Sequence, residues 1–419
     1  MNNIFWTRLN FYLLALAVIV LPWQTKLILR PALSNYWEIS IFASFIILWL
    51  TLLTALPLWS QLKLKLGNSS FDLRLFLVTM TLFSLIAIIF SPDLLLAGYR
   101  TFLFFSALGL SFLIIGLPAP KRLYLAQLLV ISLTLQAIIG LGQFFTQTSW
   151  SSGYLGIAYH QASDLGATVV ETENGRWLRA YGASDHPNVF GGLMALAAVG
   201  SLYLLFATTS RWKRVLFLSI YTIFLAATFV SFSRAAVLAL AVGLLVSVVD
   251  NRRFLIINKR LATAILVLSV LSGVLFGLQY QDLFWARSRL DNRLEQISLR
   301  DRHQFNQRAW QDLLQRPLQG SGLGASTLSA RQQDQLNGVM QPPWAYQPAH
   351  NYWLLAAAES GIFFVIALAG LWFKSYQKSR LRRLTGLFFA LFVLTLFDHW
   401  LFSLPFGSIL VFLVLALMW

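Results

Sequence analysis

The stretch VFGGLMALAAVGSLYLLFATTSRWKRVLFLSIYTIFLAATFVSFSRAAVLALAVGLLVSVVD, residues 189–250, decides the fold. It holds three apolar runs, at 189–208, 215–231 and 235–249. They are parted only by a basic joint (Arg211, Lys213, Arg214) and a short polar one (Ser231 to Arg234). Each run approaches the roughly 20 apolar residues that a membrane-crossing helix needs. The joints are too short to hold structure of their own, so the runs must turn back on one another as antiparallel helices across a bilayer. The basic joint then faces the cytoplasm and the SFSR joint the opposite side.

The pattern extends in both directions. Further apolar segments lie near 9–23, 37–58, 75–90, 94–117, 123–144, 261–280, 350–373, 384–399 and 401–419, giving twelve in all. Of 419 residues, 58% are hydrophobic and only 11% charged, against about 25% charged in a soluble domain. A soluble enzyme, a nucleic-acid-binding domain and a disordered chain are excluded. The reading is all-α: one integral membrane domain over 1–419 with about twelve transmembrane helices. The first run, Phe11 to Pro22, lacks a small-residue cleavage site and reads as a retained helix. There are no cysteines, hence no disulfide or thiol chemistry.

The net charge of +16 divides by side. With the N-terminus in the cytoplasm, 18 of the 32 basic residues lie inside and 14 outside, and eight of the outer ones fall in one long segment. Long loops cross regardless of charge, so short loops count 18 against 6 and both termini are cytoplasmic. The inner set mixes 11 Arg with 7 Lys, whereas the outer set is 13 Arg with Lys26 alone. Orientation does not distinguish the two residue types. Arginine does offer a planar fork that grips phosphate with two hydrogen bonds and stays charged when desolvated. The outer arginines therefore mark either an anion site or pairs with the acids Asp282, Asp291, Glu295, Asp301, Asp312 and Asp334 of the same segment.

Two outer segments are too long to be connectors. One spans about 145–188. The other, about 281–349, contains RDRHQFNQRAWQDLLQRPL, which sets Phe305, Ala309, Leu313 and Arg316 near one face of a helix ended by Pro317. This reads as an amphipathic helix over the outer mouth of the bundle, followed by GSGLGAS as a flexible turn.

His350, in AHNYWLLAAAESG, sits at the outer start of the tenth segment, where a neutral imidazole is a natural general base near pH 7. Helix capping or an interfacial hydrogen bond is its plain structural alternative. Glu359 lies nine residues on, about 13 Å deeper and half a turn away, too far to orient His350 directly. His186 precedes Pro187 and Asn188 in a helix-entry turn. Arg234 sits among small residues, with snorkelling to headgroups as its alternative. His399, beside Asp398, is placed to border the same cavity, whereas His160 and His303 fall in loops and read as solvated. No HExxH, DxD or Cys/His cluster is present, and GSGLG follows a helix, not the strand of a nucleotide-binding loop. No metal or nucleotide cofactor is expected.

Three stretches together resemble the O-antigen ligase and polymerase superfamily of bacterial membrane glycosyltransferases. They are RAYGASDHPNVFGG (179–192), RHQFNQRAWQDLLQRPLQGSGLG (302–324) and HNYWLLAAAESG (350–361), with SFSRAA (231–236) as a fourth point of similarity. The likeness spans about 130–365. Asn306 replaces a frequent Trp, and Phe364 stands where ligases favour Gly, Thr or Tyr. The resemblance implies metal-free transfer of a glycan from undecaprenyl diphosphate to an acceptor hydroxyl at the periplasmic face of the bacterial inner membrane, with inversion. His350 would be the base. Arg234 and Arg302, assisted by Arg300 or Arg308, would hold the diphosphate. Arg179, His186, Asn188, Asn351 and Glu359 would serve substrate or structure. A lipid A-core acceptor makes the chain a ligase, another lipid-linked repeat a polymerase, and a protein an O-oligosaccharyltransferase. A transporter or flippase of lipid-linked glycans would instead place ionisable residues at the bilayer midplane. Here they are few, chiefly Glu359 and Arg100.

Overall fold

A computed structural model describes residues 2–58, 71–289 and 293–419. The inner Lys63 and Lys65 and the outer Asp291 lie outside these described residues. In chain order the elements begin with α1 (Asn2–Val20), β1 (Lys26–Arg30), β2 (Ile39–Phe42), α2 (Ala43–Ala55), α3 (Phe71–Ile89), α4 (Leu94–Ile115) and α5 (Ala119–Thr146). Short strands β3 (Thr148–Ser149), β4 (His160–Gln161), β5 (Val169–Thr172) and β6 (Gly175–Leu178) follow. Next come α6 (Pro187–Ala207), α7 (Arg211–Val230), α8 (Arg234–Asp250), α9 (Arg252–Ile257) and α10 (Lys259–Gln279). The second long segment holds α11 (Gln281–Ser288), α12 (Arg293–Gln315) and α13 (Ser326–Leu336). The chain closes with α14 (Tyr352–Ser360), α15 (Ile362–Arg382), α16 (Thr385–Phe397), α17 (Trp400–Ser403) and α18 (Pro405–Leu417).

The protein is a mostly helical membrane protein. Each of the twelve apolar segments is helical over most of its length. Among the described residues five helices, α4, α5, α6, α7 and α10, are long and apolar enough to cross a membrane. Helix α6 is the centre of the bundle, packed on α5, α7, α8 and α16. Its GG and ALAA positions explain this. Gly191 and Gly192 leave no room for a Cβ beside Ser231 and Trp400, so neighbours close directly on its backbone. At the other extreme, α10 buries only Ile265 among its described side chains and turns its apolar flank outward, as a lipid-facing helix does.

Three departures from the sequence reading bear on the outer end. First, residues 26–42 form an antiparallel hairpin, so the second helix starts at Ala43 and not near 37. The alternation in Ile39-Ser40-Ile41-Phe42 suits a strand, and the Lys26–Glu38 ion pair (2.7 Å) holds its ends. Second, the 145–188 segment carries the β3–β4 and β5–β6 hairpins. Third, the tenth segment is broken: α14 ends at Ser360 and α15 starts at Ile362, because Gly361 takes φ +79°. At its other end α14 starts only at Tyr352, capped by Asn351, so His350 lies in the loop ahead of it.

Candidate active site

The break in the tenth segment is filled by the glycine-rich loop. Gly320, Gly322 and Gly324 all have positive φ, a region closed to most side chains. The backbone N–H groups of Ser321 and Gly322 donate to the Ala358 and Glu359 carbonyls (3.0 and 2.9 Å), and Ile362 N–H donates to the Pro317 carbonyl (2.9 Å). Glu359 completes the joint, accepting from Gly324 N–H (2.7 Å) and the Ser326 hydroxyl (2.9 Å). GSGLGAS is thus a pinned insert, not the flexible turn that its composition suggests. Glu359 serves as the bolt that holds it beneath the site.

This joint fixes the start of α14, where Asn351 caps the helix by accepting from Leu354 N–H (2.9 Å) and donates to the Leu396 carbonyl (3.2 Å). His350 precedes it. Its ring stacks on Phe305 of α12 (6.0 Å between centroids, 15°) and stands edge-on to His399 (5.0 Å, 89°). The amphipathic helix therefore covers the site with the face predicted for it: Phe305, Ala309 and Leu313 are buried. His399 Nδ1 lies 2.7 Å from the Ser403 hydroxyl, and its ring meets Tyr36 edge-on. Asp398 accepts from His399 N–H (2.8 Å) and, at 3.5 Å, from the Asn188 amide.

These groups open onto a cavity of about 760 Å³ lined by Tyr36, Asp185, His186, Trp344, His350 and His399. His186 also caps α6, its Nδ1 accepting from Asn188 N–H (3.0 Å). Burial pushes the His186 imidazole down to about 3, with the Arg179 charge acting in the same sense. Burial and then the neighbouring His399 likewise hold His350 below the usual histidine range, against the opposing pull of Asp398. His350 is thus neutral at pH 7.

The arginines separate into two kinds. Arg234 and Arg287 converge on the buried Glu295, Arg234 at 2.8 Å. Arg308 is tied to Asp334 (3.4 Å), to the Ala345 carbonyl (3.2 Å) and over the Tyr346 ring. Arg300 is exposed. Arg179 is buried and bonded to neutral groups, donating to the Ser231 carbonyl and the Asn188 amide oxygen (both 2.7 Å), so it clamps the α7–α8 turn to the start of α6. Arg302 differs from all of them. It is half-buried, and among the described residues no carboxylate lies within ion-pair distance of it. It is still near enough to His350 and His399 for its charge to disfavour their protonation.

Of the sequence candidates, His350, His399, Asp398, His186, Asn188 and Arg302 come together at one end of the bundle. Arg308 and Arg300 do not join them. His303 is exposed as expected, but His160 stacks on Tyr181 (4.6 Å, 21°) and is not simply solvated. Tyr36 and Asp185 escaped the sequence reading. The polar Ser34-Asn35-Tyr36 step inside the hairpin was the signal for Tyr36, and the place of Asp185 beside His186 in RAYGASDHPNVFGG was the signal for Asp185. Arg100 reaches out of α4 to donate to the Tyr36 and Ser403 carbonyls (3.2 and 3.1 Å), joining both to the site.

Residues 220–369 match the family model for O-antigen ligases. This match, over the middle part of the chain, supports the O-antigen ligase-like superfamily that the motifs resemble and, broadly, a membrane glycosyltransferase of the ligase and polymerase type. The matched segment contains Arg234, Arg302, His350 and Glu359, while Arg179, His186, Asp398 and His399 lie beyond its ends. No curated protein matches the chain.

Proposed function

We propose that the chain is an O-antigen ligase-like enzyme of the bacterial inner membrane. It moves a glycan from undecaprenyl diphosphate to a hydroxyl of lipid A-core at the periplasmic face. The observation that carries this reading is the meeting of a neutral, buried imidazole, His350, with Arg302, an arginine that has no carboxylate within ion-pair distance among the described residues, beside one cavity.

His350 takes the proton from the acceptor hydroxyl. The hydroxyl oxygen attacks the anomeric carbon from the side opposite the diphosphate. The bond from that carbon to the diphosphate oxygen breaks, and the anomeric centre inverts. Charge growing on the departing diphosphate is met by the fork of Arg302, with Arg234 at the edge of the same cluster. Asp398 alone does not offset the burial of the His350 imidazole, which is therefore a poor base in the free enzyme. Docking the diphosphate next to His350 stabilises the imidazolium, so the base gains strength only when the donor is bound.

The acceptor is tested by incubating purified protein with a lipid-linked glycan and, in separate reactions, lipid A-core, a peptide, or more donor. The ligase reading expects lipid A-core to gain the glycan. Transfer to donor or peptide alone would make the chain a polymerase or a protein O-oligosaccharyltransferase. Movement of donor across the membrane without transfer would make it a flippase.

A further inference from the structure

The end of the bundle opposite the histidine cavity holds another pair of arginines without acids. Arg122, in the first turn of α5, is only 8% exposed, and its Nε has no hydrogen-bond partner. Arg382, in the last turn of α15, faces it closely enough for the two charges to oppose each other. Among the described residues neither has a carboxylate within ion-pair distance. Both line a small crevice of about 80 Å³ walled by Leu129, Val130, Leu193 and Leu410.

Basic residues at cytoplasmic helix ends are expected from orientation alone. Orientation is served equally well by exposed side chains such as Arg211 and Lys213, and it gives no reason to bury a guanidinium against a like charge. Burying an unpaired cation is costly unless an anion joins it. The start of α5 adds the positive end of its dipole at the same place. Headgroup chemistry at the mouth and hydrocarbon along the walls describe one kind of ligand.

We propose that this crevice binds an anionic phospholipid, its phosphate gripped by Arg122 and Arg382 and only the first methylenes of a hydrocarbon chain entering between α5, α6 and α18. The site is separate from the histidine cavity and does not rest on the glycan-transfer reading. Purified full-length protein in detergent is titrated with phosphatidylglycerol, phosphatidylcholine or inorganic phosphate and read by native mass spectrometry. Phosphatidylglycerol is expected to be retained one to one in preference to phosphatidylcholine. The double variant Arg122→Gln/Arg382→Gln is expected to bind it at least about tenfold more weakly, the loss of charge-assisted hydrogen bonds. Lys213→Gln, exposed on the same face, should bind as wild type. If the double variant does not insert, Arg382→Gln alone is expected to weaken binding by about threefold or more, one of the two forks remaining. Unchanged binding in the variants, equal retention of phosphatidylcholine, or inorganic phosphate binding as tightly as the lipid would each overturn the proposal.

Discussion

Two groups of arginines lie close together at the histidine end of the bundle, and the protein treats them differently. Arg234 and Arg287 share the buried carboxylate of Glu295, so their charge is largely neutralised from within. Arg302, on the same helix as Glu295, has no carboxylate within ion-pair distance among the described residues and sits near the two imidazoles of the cavity. The positive charge of this end is therefore not one uniform attraction for anions. Part of it fastens the covering helix to the α7–α8 turn, and part is left for a ligand.

The comparison can be broken by substitution. His350→Ala, in the ligand-facing group, is expected to lower glycan transfer by about a hundredfold or more, the range of a lost general base, while the protein still inserts and accumulates. Arg302→Lys should cost at least about tenfold, because a point charge does not reproduce the fork. Near-wild-type rates for that variant in a reconstituted assay would argue against bidentate diphosphate binding. Arg234→Lys keeps a cation opposite Glu295 and should cost less than about fivefold. If it proved as damaging as Arg302→Lys, the division into two groups would fail.

A pH profile sharpens the same point. Burial lowers the proton affinity of His350, so the free enzyme keeps the neutral base as pH falls through about 6.5, the ordinary histidine value. Activity is lost only as pH drops through the depressed value. Between pH 6 and 8, kcat/KM, which reports the free enzyme, should vary by less than about twofold. An acid limb centred near 6.5 would mean a solvated imidazole. The smallest expected effect is that of EDTA, which should leave the rate unchanged. Full loss would show that a metal takes part.

Much of this organisation was legible in the sequence. Apolar runs of fixed length with basic joints can be read residue by residue, because the bilayer imposes one solution on them. The buried face of α12 followed from the spacing of Phe305, Ala309 and Leu313. What was not legible depends on partners distant in sequence. GSGLGAS reads as flexible because glycine permits many conformations. Only the Gly361 break and the Glu359 carboxylate turn that freedom into a fixed insert. Arg234 and Arg302 look alike in sequence, and only the position of Glu295 separates them. Tyr36 reaches the site through a hairpin whose apolar residues had merged into the helix behind it.

The central claim is that His350 performs chemistry at a site where arginine holds the donor. Its most direct test is to measure undecaprenyl-diphosphate-glycan binding and single-turnover transfer together for wild type and His350→Ala. The variant is expected to bind donor within about twofold of wild type, since the base adds little to ground-state affinity, yet to transfer no detectable glycan. Transfer at the wild-type rate by His350→Ala would contradict it.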